Sequence, residues 1–208
     1  MTTDFFTLPR TTRPADWFER ILPNLPLQLP TETVTHRTIV RVTGAGGGAW
    51  SLGLAGGKLS VVPGTLGPIA VQYAMSAAHF RESHFGAVRE RTIEVLTKLK
   101  LPLLLPDMRK MPMDPVRLAA VAALRGSLAF VVHDKRMADA YRFVLTLGEA
   151  PANVDAADTT IEVDLDDLAA LAAARTPPLK VITSGKLRIK GDPDLPVRAL
   201  TALIGRAP

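Results

Sequence analysis

The chain has 208 residues, 47% of them hydrophobic and 22% charged, a balance that supports one or two small domains with a true apolar core. It contains no cysteine, which removes disulfides and thiolate chemistry and leaves a metal only histidine and carboxylate ligands. The formal charge of +5 is divided between both halves rather than gathered in one arm, which argues against nucleic acid while remaining compatible with weak attraction to an anionic membrane surface.

The first twenty residues carry Asp4 and break their apolar residues at Pro9 and Pro14, unlike a signal peptide. No uninterrupted apolar run approaches the ~20 residues of a spanning helix, and LPLLLP at 101–106 is short and proline-bounded. A cytoplasmic location is the expectation.

Trp17, Phe18, Ile21, Leu22 and Leu25 form a helix-spaced apolar cluster that Pro23, Pro26 and Pro30 bring to an end. TIVRV at 38–42 is β-rich, TGAGGG is a flexible turn, and AWSLGLAG and KLSVVPG are two further strand-like runs. In PIAVQYAM at 68–75, Val71, Tyr73 and Met75 alternate with Ala70, Gln72 and Ala74. AAHFRESHF then reads as a short helix, and residues 88–101 as a second. Pro102 and Pro106 end the helical pattern.

Asp114-Pro115 opens another helix, whose apolar side is Leu118, Val121, Ala122 and Leu124. SLAFVV and YRFVLTLG come next, the second with Tyr141, Phe143, Leu145 and Leu147 on one side. TIEVDLDD at 160–167 is a strand handing over to the helix LAALAAAR at 168–175. In SGKLRIKGD at 184–192, Leu187 and Ile189 point inward and Lys186, Arg188 and Lys190 outward. Gly191 and Asp192 stop that strand. Asp192 caps a terminal helix with Pro193 at its first position and Asp194 in its positive first turn, and Val197, Leu200, Leu203 and Ile204 are expected on its inward side.

TIVRV and SLAFVV, AWSLGLAG and YRFVLTLG, and PIAVQYAMSAAHF and TTIEVDLDDLAAL line up at an offset of about 90 residues, long enough for a small domain rather than a solenoid repeat. This predicts a duplicated α+β unit, each half an antiparallel β-meander with helices packed on one face. The halves are 1–107 and 108–208, divided within LPLLLPDMRKMPMDP.

The order TIEVDLDD, LAALAAAR, GKLRIKGD and a closing helix resembles the sterol carrier protein 2 (SCP2-like) lipid-binding family across the second half. The resemblance implies a cavity for a sterol, fatty acyl chain or similar lipid, with no cofactor. The residues it would use are Phe143, Leu145, Val163, Leu168, Leu171, Ile182, Leu187, Ile189, Leu195 and Leu200. The first half departs from the pattern, with VRERTIEVLTKLK where the GKLxIxGD motif would stand. It reads as a degenerate copy that covers the second half or mediates homodimerisation.

Chemical motifs fail on context. Gly44, Gly46 and Ala49 meet G-x-G-x-x-A, yet an alternating segment succeeds them and no acid occurs between Glu32 and Glu82 to hold a ribose, so a hairpin turn is expected. Gly48, Ser51 and Gly53 are one residue too long for a nucleophile elbow. On a helix His79 and His84 lie roughly 140° apart, unsuited to one metal. Asp164, Asp166 and Asp167 sit where a cap is expected rather than as an acid–base pair. None of His36, His79, His84 and His133 stands in a catalytic setting.

The expected function is therefore non-catalytic, with no catalytic and no metal-binding residues: holding a lipid-like ligand and transferring or presenting it. The alternative is an accessory module that presents a hydrophobic, isoprenoid-type substrate to a lipid-metabolism enzyme.

Overall fold

The alternating runs become eight strands: β1 (Arg37–Thr43), β2 (Gly48–Ala55), β3 (Lys58–Pro63), β4 (Ile69–Ser76), β5 (Gly126–His133), β6 (Tyr141–Leu147), β7 (Thr159–Asp164) and β8 (Leu187–Gly191). The helices are α1 (Ala77–Phe85), α2 (Ala87–Lys98), α3 (Pro115–Ala123), α4 (Leu165–Ala172) and α5 (Asp194–Ile204), preceded by an irregular helical segment at 14–24. This computed structural model describes residues 8–27, 29, 31, 33–98, 115–135, 140–172 and 184–204. The expected boundary at 101–115 lies almost wholly outside them.

All eight strands share one sheet in the order β3-β2-β1-β4-β6-β5-β7-β8. The fold is α+β, but neither half is a purely antiparallel meander. β1 pairs with β2 antiparallel and with β4 parallel; β5 pairs with β6 antiparallel and with β7 parallel. The hairpin partner occupies one edge of β1, so the returning strand must take the other, and residues 64–68 carry it back across the sheet. There Ser51 Oγ donates to the Gly64 carbonyl at 2.8 Å and accepts the Leu66 N–H at 2.7 Å. Antiparallel pairing of β4 with β6 joins the two sets of strands.

Side-chain alternation gives the sheet two unlike faces. The near face carries Val40, Val42, Trp50, Tyr73, Met75, Phe143, Leu128, Val132 and Val163, and the helices lie against it. Trp50 there stacks on Phe18 with ring centres 4.7 Å apart, and its indole N–H donates to Glu19 at 2.8 Å, so the buried ring leaves no orphan donor. On the far face Gln72 and Val144 are covered by residues 148–158, with Gln72 Nε2 donating to the Gly148 and Ala150 carbonyls at 3.2 and 2.6 Å.

β8 stops where sterics demand it. Gly191 has φ +95°, and a Cβ there would lie 2.0 Å from the Asp158 carbonyl oxygen. Asp192 Oδ1 then accepts the Asp194 N–H at 2.9 Å and caps α5 as its sequence suggests. The buried side of α5 differs from expectation. Leu195 and Ala199 pack against Val121 and Leu128, whereas Val197 and Leu200 are 60% and 52% exposed. With the helix opening at Asp194, the 195/199 pair meets α3, which rotates the longer apolar residues outward.

Candidate apolar ligand site

Strand register sets the second half's apolar residues in rows. Phe143 faces Phe130, Phe130 faces Ile161, and Ile161 faces Ile189; alongside runs Tyr141, Val132, Val163 and Leu187. The Phe130 and Phe143 rings stack at 4.8 Å with planes 9° apart, and Tyr73 from β4 meets Phe143 at 5.0 Å.

Two groups of helices cover the ends of this surface. Val88 of α2 and Leu165 of α4 close one end over Val132, Tyr141 and Val163. Val121 of α3 with Leu195 and Ala199 of α5 close the other over Leu128 and Leu147. Between them Tyr73, Phe143, Phe130, Leu145, Leu187 and Ile189 are only half-buried, which makes a continuous apolar strip.

Of the ten residues expected to hold ligand, Phe143, Leu145, Leu187 and Ile189 lie on the strip and half-buried Leu168 at its α4 border. Val163 and Leu195, each 2% exposed, are packed core at its two ends, and Leu200 faces outward. Ile182 and the side chain of Leu171 lie outside the described residues. Phe130 and Tyr73 join the strip although sequence reasoning does not name them for this half; the alternation of Leu128, Phe130 and Val132 in SLAFVV is the available signal for the first.

Polar groups border the strip. Tyr73 and Tyr141 place their hydroxyls 2.9 Å apart, and burial raises both phenol pKa values above the ordinary range. Beside them His79 Nδ1–H donates to the Arg142 carbonyl at 2.9 Å. Beyond α4, Arg91 joins Asp134 and, at 3.0 Å, Asp166, while Lys186 meets Asp167 at 2.7 Å. A hydrogen bond from Lys190 holds Glu162 below the usual carboxylate range. Asp166 and Asp167 are thus ion-pair partners. His84 is shut in by Phe80, Trp17 and Phe85, and desolvation depresses its imidazole to about 4. Among the described residues no three His, Asp or Glu side chains gather as metal ligands, and no helix is long and apolar enough to cross a membrane.

Residues 108–201 match the SCP-2 sterol transfer family. The SCP-2 match takes in α3 and β5 through most of α5, including all ten residues expected to hold ligand. Among solved structures, sterol carrier protein 2 like 2 of Aedes aegypti is similar at 16% identity, over 54% of this chain and 95% of that one, with a TM-score of 0.31. Sterol carrier protein domain 2 of Helicoverpa armigera is similar at 20% identity, over 43% and 76%, with a TM-score of 0.31. Apo sterol carrier protein 2 of Yarrowia lipolytica is similar at 13% identity, over 56% and 84%, with a TM-score of 0.29. No curated protein matches the chain.

Proposed function

We propose that the second half binds a sterol, fatty acyl or similar lipid along the apolar strip and transfers or presents it without chemical change. The observation that carries this reading is the half-buried strip of Phe130, Phe143, Leu145, Leu187 and Ile189, left between two helical groups inside the SCP-2 match. A partly exposed aromatic and aliphatic strip is a cost to a soluble chain unless something covers it. An acyl chain laid there gains about 0.8 kcal/mol for each methylene removed from water, so affinity requires no polar constellation.

The same reading treats 1–107 as a degenerate copy of 108–208. Supporting it, β2, β1 and β4 followed at once by α1 have the same order and directions as β6, β5 and β7 followed at once by α4. The first copy then acts as scaffold, with β4 shielding the β6 edge that borders the strip.

Native mass spectrometry of freshly purified protein followed by organic extraction tests the function. A retained lipid of defined stoichiometry is expected. Protein that carries none and fails to bind a fluorescent fatty acid would remove the reading.

A further inference from the structure

We propose that the crevice at the carboxyl ends of β1 and β4 binds an oxyanion, a carboxylate or phosphate, on the guanidinium of Arg142. A cavity of about 230 Å³ opens there, lined by Thr43, Ser76, His79, Arg142, Phe143 and Asp155 among others. Its volume suits a phosphate, or a carboxylate with a few methylenes, and not a sterol ring system. Arg142 projects from the start of β6, and its Nε is buried without a hydrogen-bond partner. Leaving this one guanidinium N–H dry and unmatched is costly, and an anion from outside the chain would supply the missing acceptor.

The chain supplies its own comparison. Thr43 pairs with Ser76 at the end of one parallel strand pair, and His133 pairs with Asp164 at the end of the other. Each site is a crevice beyond the carboxyl ends of parallel strands, the place where open sheets commonly receive ligands. In the second crevice, about 460 Å³, Arg91 pairs with Asp134 and Asp166 and Lys186 pairs with Asp167, which leaves Lys135 as the lining lysine or arginine outside these pairs. In the first crevice, among the described residues, no carboxylate forms an ion pair with Arg142. Asp155 lines the wall on the 148–158 segment but makes no ion pair with it.

The remaining polar groups leave donors available. Ser76 Oγ accepts the His79 N–H at 3.1 Å, so its own proton is uncommitted. Thr43 Oγ donates to the Met75 carbonyl at 3.4 Å, a long contact that a better acceptor would replace. His79 commits Nδ1–H to the Arg142 carbonyl, leaving Nε2 for a ligand. Ala74, Val144 and Val154 make the apolar side of the crevice. An anionic lipid headgroup could therefore sit on Arg142 with its chain passing Val144 and Val154, or a free anion could sit there alone.

The test is titration of the full chain with sodium phosphate, decanoate and 1-decanol at ionic strength held constant with chloride, following arginine Nε–H and backbone amide resonances. A saturable shift of the Arg142 Nε–H with phosphate or decanoate, and none with 1-decanol, is expected. Arg142→Gln should weaken the amide response by about tenfold or more, the effect of losing one charge-assisted hydrogen bond. Asp155→Asn should tighten it by removing the opposing charge. Decanoate far tighter than phosphate identifies a lipid headgroup, and phosphate alone identifies a free anion. No saturable response to either anion, a response to decanol equal to that of decanoate, an unchanged response in Arg142→Gln, or weaker binding in Asp155→Asn would overturn the proposal. Should Arg142→Gln fail to fold, the native and Asp155→Asn titrations decide it. Binding of a neutral sterol is independent of every one of these outcomes, so the lipid reading stands or falls separately.

Discussion

The hydroxyl of Tyr73 on β4 lies 2.9 Å from that of Tyr141 on β6, joining the two halves beneath α1. Tyr141 also reaches Met75 Sδ at 4.0 Å, whereas Tyr141 is the hydrogen-bond partner of the Tyr73 hydroxyl. Removing Tyr141's oxygen thus strands a buried polar group, and removing Tyr73's leaves a secondary contact in place. Tyr141→Phe should cost about 1–3 kcal/mol and Tyr73→Phe about 1 kcal/mol or less in urea unfolding, and the double variant should cost less than their sum.

The chain has only these two tyrosines, so phenol absorbance reports on nothing else. Burial raises both pKa values. An absorbance titration of the folded protein should show no phenolate step near pH 10, the phenolate signal appearing only with alkaline unfolding. A normal step in folded protein would contradict the buried pair.

His84 should make stability fall on mild acidification. Its imidazole titrates at about 4 in the folded chain against 6.5 for the free group. Above pH 6.5 it is neutral in both states and has no effect. Between 6.5 and about 4 the unfolded chain takes up a proton that the folded chain refuses, so stability is lost on the order of 2–3 kcal/mol over that window and levels off below it. His84→Gln should flatten this part of the profile in urea unfolding measured from pH 7 to pH 4.

The glycines of GKLRIKGD should differ sharply from each other. Both have positive φ, +73° at Gly185 and +95° at Gly191. A Cβ on Gly185 meets nothing within 4 Å, so Gly185→Ala carries only the left-handed strain of about 1 kcal/mol. A Cβ on Gly191 strikes the Asp158 carbonyl, which requires β7 and β8 to part, and Gly191→Ala should cost about 3 kcal/mol or more. Equal losses in chemical denaturation would mean that the second glycine serves something other than this close approach.

What the sequence disclosed was local chemistry. Alternation marked the strands, Asp192 and Pro193 marked the start of α5, and the glycine-rich TGAGGG became the β1–β2 turn. Strand order was not legible, because the parallel pairing of Thr43 with Ser76 and of His133 with Asp164 depends on which edge of β1 or β5 remains free after a hairpin forms. Nor was the buried side of α5, which is decided by where α3 lies rather than by the helix's own spacing. The strip was half legible: Phe143, Leu145, Leu187 and Ile189 fall on it, but their shared half-burial depends on how β5 to β8 line up across the sheet, which no single segment encodes.

Leu145 and Leu195 together test whether the strip is a ligand surface or packed core. Leu195 is 2% exposed against Val121 and Leu128, so Leu195→Ala should remove about 2–5 kcal/mol of stability and leave fatty-acid affinity per folded molecule nearly unchanged. Leu145 is half-buried on the strip, at the margin of that cluster. Leu145→Trp should keep the apo stability within about 1 kcal/mol of the parent while preventing a fluorescent fatty acid from binding, because the indole occupies the acyl path. The two readouts must be taken on the same preparations, thermal unfolding of apo protein beside displacement of the probe. If Leu145→Trp instead loses the ~1–3 kcal/mol typical of an overpacked interior and binds the probe as the parent does, the strip is filled core, and the second half has kept an SCP-2-like sequence without its ligand surface.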